Sequence, residues 1–207
     1  MNGVIKIITN VSIKILQIII ILLLCLYFGL WIFVNNSIPK DIKNKYNRSN
    51  LLELSDEQYQ IIWFIWTNNK NYEFKWYPFL IDAFYMNKAD SYASMLLLWE
   101  NDKYKEKLKY SPNRLPVWNM EYGLARYIKN KNNYKKCLSV ILSNSCMGNE
   151  IYGIENACKY YFNKNLENIT ERELISLSII TLNYTMYEIG GIRLENKLNE
   201  ILSEYYK

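Results

Sequence analysis

Residues 15–34 form a run of about twenty positions in which Gln17 is the only strongly polar side chain. As a helix, a run of that length matches the roughly 30 Å hydrocarbon core of a bilayer. It is too long for a signal-peptide core, and no small-x-small cleavage site precedes Asn35, so the pattern predicts an uncleaved membrane anchor over residues 15–34, preceded by a short segment, 1–14. Residues 35–54 are polar, contain Pro39 and alternate charge, and read as a juxtamembrane linker. Beyond it the apolar positions recur at helical spacing, and no alternating strand pattern appears. Ser55, answered three residues on by Gln58, is a capping box opening a helix over 59–66. Its Trp63, Phe64 and Trp66 suit either a core or a membrane interface, with core the preferred reading. Further helices are predicted over 79–85, 91–99, 117–130 and 134–142, with Pro112 and Pro116 bracketing a turn. Gly148 and Gly153 form a flexible turn feeding a helix through Ile154, Ala157, Cys158 and Tyr161. Thr170 and Glu173 make a second capping box. The helix behind it, 170–187, is expected to be central and buried, packed on the helix after Gly153 through Ile154, Tyr161, Leu177 and Ile180. Gly190 and Gly191 then break the chain before a last helix whose Leu194, Leu198, Ile201, Leu202 and Tyr205 share one face. The expectation is an all-α domain over 55–207.

Charge and composition narrow the chemistry. Twenty-five Lys and Arg against twenty Asp and Glu leave +5, spread along the chain. That suits an anionic membrane surface or a phosphate-bearing ligand and does not point to nucleic acid. The absence of histidine removes Ser–His and Cys–His nucleophile pairs and histidine metal sites. Cys25 lies in the apolar run, and Cys137, Cys146 and Cys158 form no C-x-x-C pair, so no metal site is expected. They read as small buried side chains, with one disulfide open in an oxidising compartment. Lys6 and Lys14 precede the anchor and Lys40, Lys43, Lys45 and Arg48 follow it, which by charge alone would hold the domain inside.

The most specific stretch is Gly148 to Lys164. Gly148, Tyr152, Gly153, Ile154, Glu155, Ala157, Tyr160, Tyr161, Phe162 and Lys164, followed by Thr170 and Glu173, resemble the G-x-G-x-Y-G-I-E-A-A-x-x-Y-F-x-K and L-T-x-x-E stretches of glycosyltransferase family 51, the peptidoglycan transglycosylases. Glu150 stands where that family has glycine. The resemblance, read over residues 55–184, implies a lysozyme-like fold and a domain on the outer face of the cytoplasmic membrane, opposite to the charge count. It also implies lipid-linked disaccharide and glycan chains as ligands, cell-wall synthesis proteins as partners, and no cofactor beyond a divalent metal if transfer occurs.

In that family a glutamate of an E-D-x-x-F-x-x-H-x-G motif takes the proton of the attacking sugar hydroxyl, and cations with a second glutamate handle the departing pyrophosphate. Those are the two needs of the reaction, a base for a poor nucleophile and charge to meet a diphosphate. Here the segment in register is residues 67–77: Asn68 replaces the base, Asn69 the Asp, Lys75 the His and Tyr77 the Gly. An amide accepts no proton at neutral pH, which leaves Glu73 as the one alternative base. The glutamine-rich motif is not recognisable near residues 92–101, where Leu96, Leu97 and Leu98 stand. Residues 110–115 resemble L-S-P-E-R-T-L and supply Arg114, which with Lys75 is a candidate substrate-binding cation. The R-K-x-x-E motif survives as Val117-Trp118-Asn119-Met120-Glu121, both cations lost, so Glu121 is the one catalytic residue carried over, or else a solvated carboxylate on a helix face. The K-x-x-I-L-E motif is reduced to residues 135–143. Three classes follow: a catalytically impaired relative that binds lipid-linked glycan or a cell-wall partner, a divergent active transferase, and an anchored helical interaction protein.

Overall fold

The computed structural model describes residues 2–72, 77, 81, 86–101, 104–106 and 115–207, with side chains described from Ile13 and, in the helix that opens at Leu115, from Trp118. Among these residues the architecture is all-α, and the one strand-like feature is an isolated antiparallel bridge between Cys146 and Tyr152. The helices are α1 (Asn2–Ser37), α2 (Lys40–Arg48), α3 (Asp56–Thr67), α4 (Lys88–Trp99), α5 (Leu115–Asn130), α6 (Tyr134–Asn144), α7 (Ile154–Phe162), α8 (Glu171–Leu182) and α9 (Ile192–Tyr205). The helix expected over 79–85 and the turn at Pro112 lie outside the described residues.

Helix α1 holds the stretch Ile13–Ser37, long and apolar enough to cross a membrane, and its large side chains from Ile13 to Leu26 are exposed. A stretch of that length and composition could anchor the protein in a membrane. The C-terminal end of α1 is different: Val34, and Ile38 just beyond the helix, are buried against α5. The approach is close because position 123 is glycine. A Cβ there would stand 2.9 Å from the Val34 carbonyl oxygen and 3.0 Å from Ile38 Cγ1.

Both predicted capping boxes form. The Ser55 side chain accepts the Gln58 backbone N–H at 3.2 Å while the Ser55 N–H donates to the Gln58 side chain at 2.8 Å. Thr170 and Glu173 repeat the exchange at the start of α8. Each box satisfies two donors that a helix start leaves orphaned. The Glu173 carboxylate also takes the Lys164 ammonium at 2.8 Å, which with the Thr170 N–H holds its carboxyl below the usual carboxylate range. One apolar cluster joins α2, α3, α4, α5, α6, α7, α8 and α9, and it includes Trp63, Phe64 and Trp66, which are core side chains. Cys137 and Cys158 are buried in it as well, and Cys146 is half-buried.

The structure corrects three expectations. Residues 35–54 are more than a linker, because Lys40–Arg48 is helical and its Ile42 and Tyr46 are each 1% exposed. Two apolar side chains one turn apart are enough to dock an otherwise polar helix. The stretch after it is also fixed: Leu52 N–H donates to Ser139 Oγ at 3.1 Å, and the Tyr59 hydroxyl donates to the Leu52 carbonyl at 2.9 Å. Second, α8 ends at Leu182 rather than at residue 187. Asn183 leaves the helical region, with φ −166°, and its side chain accepts from Thr185 N–H and Oγ1, a local turn that competes with helix continuation. Third, the principal neighbours of α8 are α3 and α9, with α6 beyond, and α7 packs on α6. Ile154, Leu177 and Ile180 do share the core, with Tyr161 partly buried at its edge, and Lys164, just past α7, pairs with Glu173 of α8.

Candidate functional site

Helices α4 and α5 pack along each other, and each turns one stripe at i, i+3, i+4, i+7 spacing toward a shared cavity of about 520 Å³: Lys88, Ser91, Tyr92 and Met95 from α4, and Trp118, Glu121, Tyr122 and Ala125 from α5. Trp66 from the end of α3 and Met86 complete the walls. Two aromatic pairs flank the space. Trp118 stacks on Tyr122 with ring centroids 5.2 Å apart and planes at 11°, and Trp66 meets Tyr92 at 4.9 Å and 32°. Flat aromatic faces with a few polar groups between them suit a ligand that is part apolar and part hydroxylated.

Glu121 is the carboxylate of this wall. Burial pushes its carboxyl above the usual range, because desolvation penalises the charged form. Lys88 lines the same cavity, is exposed, and is in none of the ion pairs among the described residues. The opposite side of this wall is α1: Tyr122 clusters with Val34, and Tyr27 and Met86 pack against them. The cavity therefore adjoins the C-terminal end of α1.

Asn68 has a different position. It is the C-cap of α3 at φ 56°, ψ 30°, exposed, with its N–H on the Phe64 carbonyl at 2.7 Å, and it is not among the residues lining the cavity. Asparagine is one of the few residues that enter the left-handed region at low cost. The structure thus brings Glu121 into the cavity and leaves Asn68 as a helix terminator. Lys75, Arg114 and the alternative base Glu73 lie outside the described residues, as does the Val117 side chain. Residues 135–143 form the buried face and ends of α6, where Ser139 serves the packing of Leu52 and Tyr59. Among the described residues no three His, Cys, Asp or Glu side chains are grouped so as to hold a metal ion.

Sequence reasoning assigned none of Trp66, Lys88, Tyr92 and Tyr122 to a site, and read Trp66 as core. Each falls on a helical stripe that looks like ordinary core. The usable signal was that the two stripes carry Lys88, Ser91 and Glu121 among their aromatic and Met side chains.

An all-α domain with such a cavity beside an apolar helix is a class with many members, and sequence comparison specifies the family. Residues 92–204 match the family described as Transglycosylase, more than half of the chain, and the protein belongs to that family. It is also 34% identical over 56 residues to the biosynthetic peptidoglycan transglycosylase of Haemophilus influenzae, a match spanning 27% of this chain and 23% of that protein. The family match begins at Tyr92, inside α4, and runs through α9. It thus extends beyond residue 184 and takes in Glu121, while residues 67–77, Asn68 among them, precede it.

Proposed function

We propose that this protein is a membrane-anchored, lysozyme-like transglycosylase relative whose domain, residues 55–207 with α2 docked on it, stands on the outer face of the cytoplasmic membrane and holds a lipid-linked glycan while transferring it poorly or not at all. The observation that carries this reading is the placement of the Glu121 cavity against the outer end of α1. A saccharide held between the two aromatic pairs keeps its lipid in the adjoining bilayer, with glycan chains or a cell-wall synthesis protein as further partners. Proton removal is the step that fails. Asn68 is an amide in a helix cap, and losing a general base forfeits about 10²–10⁴ in rate. Valine and tryptophan at 117 and 118 add the loss of two cations where the diphosphate charge develops.

One observation favours a second reading, a divergent active transferase. A carboxyl raised by burial, as at Glu121, is better matched to proton transfer near neutral pH than an ordinary carboxylate. A divalent metal would then meet the diphosphate charge.

The deciding measurement is polymerisation of lipid-linked disaccharide by the membrane-reconstituted protein, beside its Asn68→Glu and Glu121→Gln variants. The expected result is substrate binding with negligible polymer from the unmodified protein. Robust polymer abolished by Glu121→Gln establishes the enzyme instead, and absence of both binding and polymer leaves the interaction-protein class. A reporter fused after Lys207 tests the outer-face orientation.

A further inference from the structure

Five cations on or beside α2, α5 and α6 are in no ion pair among the described residues. Lys40, Lys43 and Arg48 on α2, Lys131 just after α5 and Lys136 on α6 are in none of the ion pairs among the described residues, whereas Lys45 and Lys135 are paired with Glu100 and Asp56. Three of the five converge. The Lys43 and Lys131 ammoniums lie 5.6 and 5.1 Å from the centroid of the same Tyr127 ring. Lys136 lies 5.5 Å from the Tyr46 ring, which meets Tyr127 edge-on at 6.2 Å. The acceptors within the cluster are neutral: Asn47 takes the Tyr127 hydroxyl at 2.9 Å through Oδ1 and the Lys136 ammonium at 2.7 Å through its carbonyl. Ring faces attract cations but carry no net charge, and although the buried Asp90 carboxylate is felt at Tyr46, no described carboxylate pairs with the three ammoniums.

The cluster also has a defined height. Lys43 Nζ donates to the Asn35 carbonyl at 3.3 Å, and Asn35 lies in the last turn of the apolar span Ile13–Ser37. That places its ammonium at the end of the hydrocarbon layer, where phosphates are dense, with tyrosine bodies beneath it as amphipathic support. We propose that Lys43, Lys131 and Lys136, from three different elements, form a docking surface for anionic phospholipid headgroups, their phosphate oxygens supplying the missing charge. The occupied surface ties α2, α5 and α6 to the lipid layer and so fixes the tilt of the domain on its anchor. The inference rests on α1 spanning a membrane. It does not involve the Glu121 cavity, so it stands or falls separately from glycan binding.

The test is native mass spectrometry of the full chain in detergent micelles doped with equal phosphatidylglycerol and phosphatidylcholine. The expected result is several-fold preferential retention of phosphatidylglycerol, reduced to parity in the Lys43→Gln/Lys131→Gln/Lys136→Gln variant and preserved in the corresponding triple arginine variant. Lys159→Gln, an exposed lysine on α7, is expected to leave retention unchanged. Circular dichroism of both triple variants separates loss of charge from loss of fold. Parity in the unmodified protein overturns the proposal, as does a triple glutamine variant that is folded and still selective. Displacement of the lipid by millimolar inorganic phosphate alone shows a free-anion site and overturns the headgroup assignment. Extraction of the protein by alkaline carbonate removes the anchor itself, and the proposal with it.

Discussion

Helices α8 and α5 both run through the interior, yet they solve burial in different ways. In α8 every residue from Leu174 to Thr181 is buried, and its polar members Ser176, Ser178 and Thr181 return their hydroxyls to carbonyls of their own helix at 2.6–2.8 Å. The helix needs nothing polar from its neighbours. In α5 the buried polar groups are Asn119, Arg126 and Lys129, and burying a cation costs free energy unless partners meet its charge. Lys129 accordingly lies over the Tyr77 ring at 5.1 Å. The same helix gives one stripe to the cavity, Gly123 to the anchor and Leu124 and Ile128 to the core. The comparison teaches where substitution is tolerated and why. The buried stretch of α8 is constrained chiefly by volume, whereas α5 is constrained by the cavity, by α1 and by the core at once.

The largest expected effect is on the self-contained helix. Leu177 is 0% exposed, and Leu177→Ala should lower stability by about 2–5 kcal/mol in chemical denaturation, from lost burial and the cavity left behind. A cost below about 1 kcal/mol would mean that α8 is not packed as described. Next comes the contact of α5 with the anchor. Gly123→Val must displace the α1 backbone at Val34, and overpacking of this kind costs about 1–3 kcal/mol. The sharper readout is the distance between spin labels on α1 and α5, which should lengthen while Gly123→Ser, with a smaller side chain, shifts it less. An unchanged distance in both would show that anchor and domain do not pack.

The smallest effect is a pH dependence at Glu121. Burial raises its carboxyl in the folded state, so folding favours the protonated form, and stability falls as pH rises from the unfolded carboxylate range, roughly 4.3, through the raised folded value. Glu121→Gln removes that cost. The variant should match the unmodified protein in acid and exceed it slightly at neutral pH in paired thermal melts. Equal stability at both pH values would place Glu121 in open solvent, and with it would go the cavity's claim to a tuned carboxyl.

How much could be read in advance differed by region for a physical reason. Ser55 with Gln58 and Thr170 with Glu173 announced two helix starts because a cap is an agreement between residues three apart. The last helix was legible from its apolar stripe, since Leu194, Leu198 and Ile201 bury that face. Helix α2 was not, because KDIKNKYNR has two apolar positions and its helix is held by where Ile42 and Tyr46 land. The end of α8 was missed because Tyr184, Met186 and Tyr187 continue an apolar pattern past the turn that Asn183 imposes.

What the sequence determined by itself was local: the length of the apolar run, the caps, the helical periodicity, and the motif from Gly148 to Lys164 that resembles the family's. What the tertiary structure decided was which of those helical faces meet. The stripes on α4 and α5 look alike whether they close on each other or leave a cavity, and only their packing leaves about 520 Å³ beside Glu121. The seating of α1 on Gly123 and the gathering of lysines from three elements around Tyr127 are likewise long-range, since sequence spacing carries no distance between helices.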